Sequence, residues 1–156
     1  MMTAQPEFTP RNPDYEARTR DSFIRQGFMH HLGAEIILIA PGAVDVALDF
    51  RAELSQQHGF FHGGVTGTLA DNAAGYAAFT LFDADSAPLT VEYKLNLLAP
   101  ARGVRLIARG RVIKPGARLT VVRSDVVAVE DGVETLCGAA LVTIMRMAGM
   151  SDERAA

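Results

Sequence analysis

The residues best suited to chemistry lie in one segment, HGFFHGGVTGTLADN, at positions 58–72. Its centre, His62-Gly63-Gly64, stands where a helix is expected to begin, and a lone carboxylate, Asp71, follows two helical turns later. The first N–H groups of a helix lack intrahelical partners and attract negative charge. An acid among small and apolar residues is costly unless it has a partner or a task. These features indicate hydrolysis of an acyl compound, with the helix start holding an oxyanion and Asp71 activating water.

The spacing within this segment favours a site shared by two copies of the chain. Asp71 follows Gly63 by eight positions, which is about 12 Å along one helix. A donor and a base that serve one carbonyl must both lie within hydrogen-bonding reach of the reacting group. Two antiparallel helices meet this requirement if a face of small residues lets them approach closely. The residues of that face are Gly64, Gly67, Thr68, Asp71, Ala74, Gly75 and Ala78.

Plainer interpretations of the same residues stay open at this point. Asp71 is alternatively a buried acid that neighbouring hydroxyl and amide groups satisfy. His62 alternatively hydrogen-bonds across the loop and only fixes the turn, and Gly64 alternatively serves close packing. The sequence contains no serine nucleophile in a glycine-flanked elbow. Asp71 is therefore the favoured reactive group.

The rest of the chain predicts an α+β domain in which a curved antiparallel sheet of five to six strands wraps one long helix. Residues 64–81 form that helix, and residues 14–26 form a short peripheral helix that ends at Gly27. The predicted strands are 35–40, 44–48, 91–97, 104–113, 119–129 and 136–145. We expect a loose arm at 1–13, a single domain at 14–147 and a frayed tail at 148–156.

Composition argues against several classes of function. The chain has 156 residues and a net charge of −3, so it lacks a general attraction to nucleic acid or an anionic membrane. One cysteine, Cys137, cannot form an internal disulfide, which fits a reducing cytoplasm. Residues 1–13 lack the apolar stretch of a secretory signal. The four histidines have no carboxylate or thiol at metal-ligand spacing. We therefore expect a cytoplasmic protein without membrane or nucleic-acid partners and without a metal site.

The motif His62-Gly63-Gly64 followed by Asp71, on a helix wrapped by an antiparallel sheet, resembles the hotdog-fold acyl-CoA thioesterases. The nearest branch is the PaaI-like, phenylacetate-degradation-type group, to which residues 112–119 and 129–132 are also similar. This resemblance implies a homodimer whose strands form one continuous sheet, often paired into a homotetramer. It also implies active sites at the dimer interface, and hydrolysis of an acyl-CoA without a metal or organic cofactor.

The resemblance also implies roles for individual residues. Gly63 matches the glycine whose N–H polarises the thioester carbonyl, and Asp71 matches the acidic base or nucleophile. Thr90 falls where a water-orienting serine or threonine sits. Many members carry asparagine six residues before the motif histidine, where this chain has Gln56. Its longer amide is a candidate donor, with the neighbouring positions 57 and 58 as alternatives.

Contacts to the rest of the substrate are predicted more broadly. Gly64 and Asn72 stand beside the two reactive positions and are candidate substrate-binding residues. Coenzyme A carries phosphates, which favour arginine and lysine at the rim of a site. Lys114 and Arg118, around one turn, are the candidates for that rim. A second set lies on one strand face and consists of Arg105, Arg109 and Arg111.

Two other functions compete with thioester hydrolysis. A hotdog-type hydratase or dehydratase of enoyl thioesters usually needs a histidine–acid pair at the reacting carbon, whereas His62 belongs to the glycine turn. A non-catalytic acyl-CoA binding module is the second alternative. Repressors of that kind carry a DNA-binding segment, and the residues before Leu32 contain no basic recognition helix.

Overall fold

A six-stranded antiparallel sheet curves around one long helix. The structure, a computed structural model, describes residues 7–150 and 152. Its helices are α1 (Tyr15–Ile24), α2 (Gly27–Leu32) and α3 (Gly63–Phe79), with a 3₁₀ turn at Ala52–Leu54. Its strands are β1 (Glu35–Ala40), β2 (Ala43–Asp49), β3 (Ser86–Leu97), β4 (Arg105–Pro115), β5 (Leu119–Glu130) and β6 (Val133–Ala148). They are ordered β1-β2-β4-β5-β6-β3, so β1 and β3 are the two edges.

Helix α3 packs closely against the concave face of this sheet. Leu69, Ala73 and Ala77 on the helix are fully buried, together with valine and leucine side chains of β2, β4 and β5. The closest approach is at Gly110, where a Cβ atom would lie 2.2 Å from the carbonyl oxygen of Ala73. Only glycine fits there, because any side chain would push the strand away from the helix. The predicted α+β hotdog fold is confirmed.

One side of α3 is left uncovered by its own sheet. Residues there are half-buried or exposed, whereas the rest of the helix beyond its first turn is buried. We call this side the open strip; its members are Gly64, Val65, Thr68, Asp71, Asn72 and Gly75. Their spacing of three and four residues keeps them on one helix face. The open strip thus carries Asp71 and begins beside Gly63.

Strand β3 continues the uncovered surface next to the open strip. Its side chains Leu89, Val91, Tyr93 and Leu97 are between 45% and 59% exposed, although they are apolar or aromatic. β3 pairs with β6 on one side only, so its other backbone edge is unpaired within the part of the chain that the structure describes. An exposed apolar edge strand is a template for pairing with another strand. The open strip and β3 therefore form one continuous uncovered surface, polar at Asp71 and Asn72 and apolar along β3.

The observed elements depart from the sequence prediction mainly near the first helix. Gly27 does not cap α1 but begins α2, since the chain bends at the extended residue Gln26 and then forms a second short helix. The left-handed cap is Gly33, with φ of 73°. Strand β3 begins before Pro88 rather than after it, which an edge strand tolerates because the missing N–H would face outward.

The predicted arm and tail lie partly outside the described residues, which exclude 1–6, 151 and 153–156. The predicted limits of the domain therefore stay predictions. Within the described part, Phe8 packs on Gly42, where an added Cβ would meet the Phe8 ring. Among the residues in view, no helix is both long enough and apolar enough to cross a bilayer.

Candidate active site

Asp71 lies in a cleft of about 480 Å³ between α3, the start of β3 and α1. Its Oδ1 accepts a hydrogen bond of 2.8 Å from the Thr90 hydroxyl. Burial raises the pKa of Asp71, and the Thr90 hydrogen bond opposes part of that rise. The two residues meet beside an irregularity in the β3–β6 register between Thr90 and Glu92, a local feature common at functional sites. The result is a carboxylate that is oriented, partly desolvated and more basic than an ordinary aspartate.

Asn72 lines the same cleft but is not paired with Asp71. Its Oδ1 is buried and has no hydrogen-bond partner within the described part of the chain. A buried acceptor without a partner is unfavourable by about 1–3 kcal/mol, so a group that supplies a donor would be favoured. Asn72 therefore stays a candidate substrate-binding residue.

The far end of the Asp71 cleft is closed by α1 and by the C-terminal segment. The Tyr76 hydroxyl accepts a 2.7 Å hydrogen bond from Gln26 Nε2 and lies 3.1 Å from Ser22 Oγ. Arg25 donates two 2.7 Å hydrogen bonds to Asp152, one to its carbonyl and one to its carboxylate. All five residues line the cleft. The first helix therefore serves as a wall of this site.

Gly63 lies in a second cleft, of about 460 Å³, at the other end of the open strip. Its N–H has no hydrogen-bond acceptor among the residues that the structure describes. The neighbouring Gly64 N–H is occupied, because it donates a 2.9 Å hydrogen bond to His62 Nδ1. His62 is thus the N-cap of α3, with φ of −64° and ψ of 140°. This hydrogen bond fixes the turn before α3, as the simpler interpretation of His62 predicts. It leaves the Gly63 N–H free.

Gln56 lines the Gly63 cleft, together with apolar side chains of Phe60, Phe61, Leu97 and Leu98. Its Oε1 accepts a hydrogen bond from the His58 backbone N–H. This hydrogen bond orients the side-chain amide and leaves its Nε2 group as a free donor. The cleft accordingly combines an apolar wall with two candidate donors, the Gly63 N–H and the Gln56 amide.

The segment that contributes residues to both clefts matches a known protein family. A family profile described as the thioesterase superfamily matches residues 58–135, which is half of the chain and includes Gly63, Asp71 and Thr90. The chain belongs to the thioesterase superfamily.

Two solved structures and one curated protein illustrate the likeness of this thioesterase-superfamily chain. A thioesterase family protein from Silicibacter pomeroyi is 44% identical, with a TM-score of 0.85, over 86% of this chain and 99% of that one. The PaaI protein of the E. coli phenylacetic acid degradation operon shares the fold, with a TM-score of 0.77 and 20% identity over 88% of this chain and 96% of its own. A 1,4-dihydroxy-2-naphthoyl-CoA hydrolase of Listeria monocytogenes is 29% identical over 90 residues, 58% of this chain and 73% of that protein. The resemblance stated from the sequence, to PaaI-like hotdog thioesterases, is confirmed.

In a single thioesterase chain, Asp71 and Gly63 line different clefts. Thr90 lies with Asp71, whereas Gln56 lies with Gly63. The two groups stand at opposite ends of the open strip, and the helix between them is too long for both to reach one carbonyl. Within one chain, the Asp71 carboxylate and the free Gly63 N–H therefore lie in separate clefts.

The basic residues predicted for the substrate rim are placed less favourably. Lys114 and Arg118 are exposed, and neither lines the Asp71 cleft or the Gly63 cleft as the structure describes them. The arginines of the β4 face are held by carboxylates on β1, β2 and β6. These ion pairs join Arg105 to Glu35 and Asp49, Arg109 to Glu134, and Arg111 to Asp45. These arginines therefore form ion pairs on the outer face of the sheet, away from α3.

Sequence reasoning did not assign the residues of α1 and the C-terminal segment to the site. A weak signal existed, since Ser22 and Gln26 share one helix face that is too polar for a core helix. Nothing local in the sequence connects Arg25 with Asp152, which lies 127 positions later. Within the residues described, no group of three histidine, cysteine, aspartate or glutamate side chains is arranged to hold a metal ion.

Replacing Thr90 with valine is expected to move the acid limb of the activity profile to higher pH. Valine keeps the shape of the side chain but removes the donor that lowers the pKa of Asp71. The pKa then rises further, and because a general base must be ionised to accept a proton, we expect kcat/KM to recover only at higher pH. The measurement is kcat/KM against pH for parent and variant. Thr143→Val, which removes a hydroxyl bonded to Glu92, is the control. An acid limb that stays in place or moves to lower pH contradicts the role given to Thr90.

Proposed function

We propose that this chain hydrolyses an acyl-CoA thioester to the free acid and coenzyme A, at sites shared by two copies. The observation that carries the proposal is the division of one site between two clefts on a single uncovered surface. Antiparallel pairing of two β3 edges turns the second chain around, so that the Gly63 end of one open strip faces the Asp71 end of the other. Each dimer would then hold two equivalent sites, as two-fold symmetry requires. Pairing of two such dimers into a tetramer is part of the same proposal.

The electrophilic part of the proposed site is the start of α3. The free Gly63 N–H would donate a hydrogen bond to the thioester carbonyl oxygen, and the Gln56 amide N–H would be a second donor. A donor aimed at a developing oxyanion is worth about 2.7–4 kcal/mol in such sites. The positive end of the helix macrodipole adds to this stabilisation. The His62 cap supports the arrangement by holding the Gly64 N–H and fixing the turn.

The basic part of the proposed site is Asp71 of the other chain, oriented by Thr90. In the water route, the Asp71 carboxylate takes a proton while the water oxygen bonds to the carbonyl carbon. The tetrahedral oxyanion then collapses, the C–S bond breaks, and the departing sulfur takes the proton from Asp71. In the alternative route, Asp71 attacks the carbonyl carbon directly, expels the coenzyme A thiolate, and forms an anhydride that water cleaves. Hydrolysis in ¹⁸O-water separates them, because only the anhydride route can leave label in the Asp71 carboxylate.

Two observations favour a coenzyme A thioester over a simple ester. The relative from Listeria is named as the hydrolase of a CoA thioester. The Gly63 cleft, of about 460 Å³, also has a largely apolar lining, which suits the slender, largely neutral pantetheine arm. Lys114 and Arg118 remain candidates for the phosphates, since their position relative to a second chain decides whether they reach them. We place the reaction in the cytoplasm, where acyl-CoA substrates are available.

A thiol-release assay tests this function directly. We expect free thiol from at least one of a set of aryl- and straight-chain acyl-CoA thioesters, measured with a thiol reagent, at rates far above the buffer. Crotonyl-CoA supplies the comparison with a hydratase, because water addition removes its absorbance without releasing thiol. Binding of acyl-CoA in calorimetry without thiol release would instead support a binding module. Either of these results, in place of thiol release, refutes the proposal.

A further inference from the structure

Helix α1 is attached to the rest of the domain by few buried contacts. Three of its ten residues are buried, and these are Thr19, Ser22 and Phe23. Phe23 packs edge-on against the Tyr76 ring, with 5.6 Å between the ring centroids. The other two buried side chains carry hydroxyls, which gain little from leaving water. α1 therefore adds one large apolar side chain to the core, whereas α3 is buried along most of its length.

One of these two hydroxyls weakens the attachment. Thr19 is fully buried, and its Oγ1 has no hydrogen-bond partner among the residues that the structure describes. A buried polar group without a partner opposes the docking of the segment that carries it, because water satisfies the group once the segment is released. The docked position of α1 is therefore less stable than its packing contacts alone would make it.

The remaining attachments of α1 are polar. The Arg18 guanidinium lies 4.1 Å from the centre of the Phe79 ring, and it donates a 2.7 Å hydrogen bond to the Asp83 carbonyl and another to the Ser86 carbonyl. The hydrogen bonds between the first helix and the Tyr76 hydroxyl are of the same kind. Water replaces such contacts at a small net cost when a surface element separates from the core.

The position of α1 makes it the movable wall of the Asp71 cleft. The other walls are α3 and the ends of β3 and β6, which belong to the core and to the sheet. Movement of β3 or β6 would break the hydrogen-bond ladder between them, whereas movement of α1 breaks only the contacts described above. In the proposed dimer a second chain covers the open strip, so α1 is the wall that can still move.

We propose that α1 is a lid, which undocks to let the acyl part of the substrate reach Asp71 and to let the free acid leave. This inference rests on the proposed thioesterase function and adds a conformational step to it. A helix of ten residues is not stable alone in water, so α1 unfolds when it undocks. Its amide hydrogens then exchange with solvent, which makes the opening measurable without the reaction. Because only the open form takes up substrate, kcat/KM is proportional to the open fraction.

Thr19→Val should close the lid. Valine has the shape of threonine and a similar helix propensity, but it lacks the hydroxyl that opposes docking. Removing one unpaired buried polar group corresponds to a shift of about 5- to 150-fold in an equilibrium. We expect the amides of α1 to exchange more slowly by a factor in this range, measured by hydrogen–deuterium exchange. We expect kcat/KM to fall by the same factor.

Arg18→Met should open the lid. Methionine keeps an unbranched side chain beside the Phe79 ring but removes the hydrogen bonds to the Asp83 and Ser86 carbonyls. We expect the amides of α1 to exchange at least about tenfold faster, and kcat/KM to rise with the open fraction. A residue that only stabilised the fold would not raise kcat/KM when it is lost. Neither Arg18 nor Thr19 lines the Asp71 cleft, so neither change alters its walls directly.

The matched control is Ser124→Ala. Ser124 on β5 is also fully buried, and its Oγ also lacks a partner in the described part of the chain. Alanine removes this hydroxyl from the sheet and leaves the contacts of α1 unchanged. We expect the exchange of the α1 amides and kcat/KM to stay within about twofold of the parent.

Several results would overturn the inference. Amides of α1 that exchange as slowly as those of β4 and β5 would show that the helix does not open by itself. Thr19→Val with unchanged exchange or unchanged kcat/KM, or Arg18→Met with a lower kcat/KM, would show that opening does not control the reaction. A parent that releases no thiol from any acyl-CoA refutes the proposed function and the role of the lid with it. An active parent whose kcat/KM does not follow the exchange of α1 refutes the lid alone.

Discussion

Asp71→Ala is expected to lower turnover of the preferred acyl-CoA by at least about a hundredfold, the low end for removing a general base. The reason is that the structure places this carboxylate, oriented by Thr90, in a cleft where its basicity is raised. The measurement is kcat from thiol release for parent and variant at saturating substrate. Turnover within a few-fold of the parent would remove Asp71 from the reaction in both the water and the anhydride routes.

The same substitution should not destabilise the protein. Because the pKa of Asp71 is raised in the folded state, the fold binds a proton more tightly than the unfolded chain does. Stability therefore falls as pH rises through the window between the unfolded and folded pKa values, and alanine removes this loss. We expect Asp71→Ala to melt at or above the parent at neutral pH. Asp49→Ala, which removes an exposed carboxylate on β2, is the control for loss of an acid as such.

Gly63→Pro is the second change with a large expected effect. Proline removes the free N–H, and the loss of one oxyanion donor typically costs about a hundred- to a thousandfold in kcat. The fold should tolerate it, because position 63 is the first residue of α3 and His62 already has the extended conformation that precedes a proline. The new Cβ would lie 3.0 Å from Leu97 Cδ1, the movable end of a side chain.

Gly63→Ala separates the two consequences of the proline substitution. It adds the same Cβ beside Leu97 but keeps the N–H, so it should retain most of the turnover. Circular dichroism and thermal melting establish that both variants fold. A proline variant that folds and turns over at nearly the parent's rate would show that the Gly63 N–H does not hold the oxyanion. Equal losses in the alanine and proline variants would attribute the effect to crowding.

Mixing the two inactive chains tests the shared site. In a dimer of one Asp71→Ala chain and one Gly63→Pro chain, one site has both parental groups and the other has neither. Random assembly makes half of the dimers mixed, so co-expression should restore about a quarter of the parental turnover per chain. Mixed dimers, isolated with two different affinity tags, are the species to assay. If they are as inactive as the separate variants, the two groups do not act across an interface.

Much of the architecture could be predicted from local patterns. The hairpin of β1 and β2 follows from two apolar runs around Pro41-Gly42, and α3 was predicted to within two residues at each end. Its buried face follows from a run of apolar and small residues long enough to fill the curve of a sheet. The prediction of the helix boundary failed at a glycine that can either end a helix or begin one. Gly27 fits a helix end in the sequence, but in the fold it starts α2, because the preceding Gln26 is extended and its side chain is held by the Tyr76 hydroxyl.

The division between sequence and tertiary structure follows the distance between interacting residues. By itself, the sequence determined the composition of the segment at 58–72 and the eight-residue separation of Gly63 and Asp71, and from that separation it predicted a site shared with a second helix. These features depend only on neighbours along one helix. Only the tertiary structure decided that α1 and the C-terminal segment line the Asp71 cleft, and that Gly75 lies uncovered on the open strip. Those features arise from contacts such as Arg25 with Asp152, whose separation along the chain leaves no local pattern.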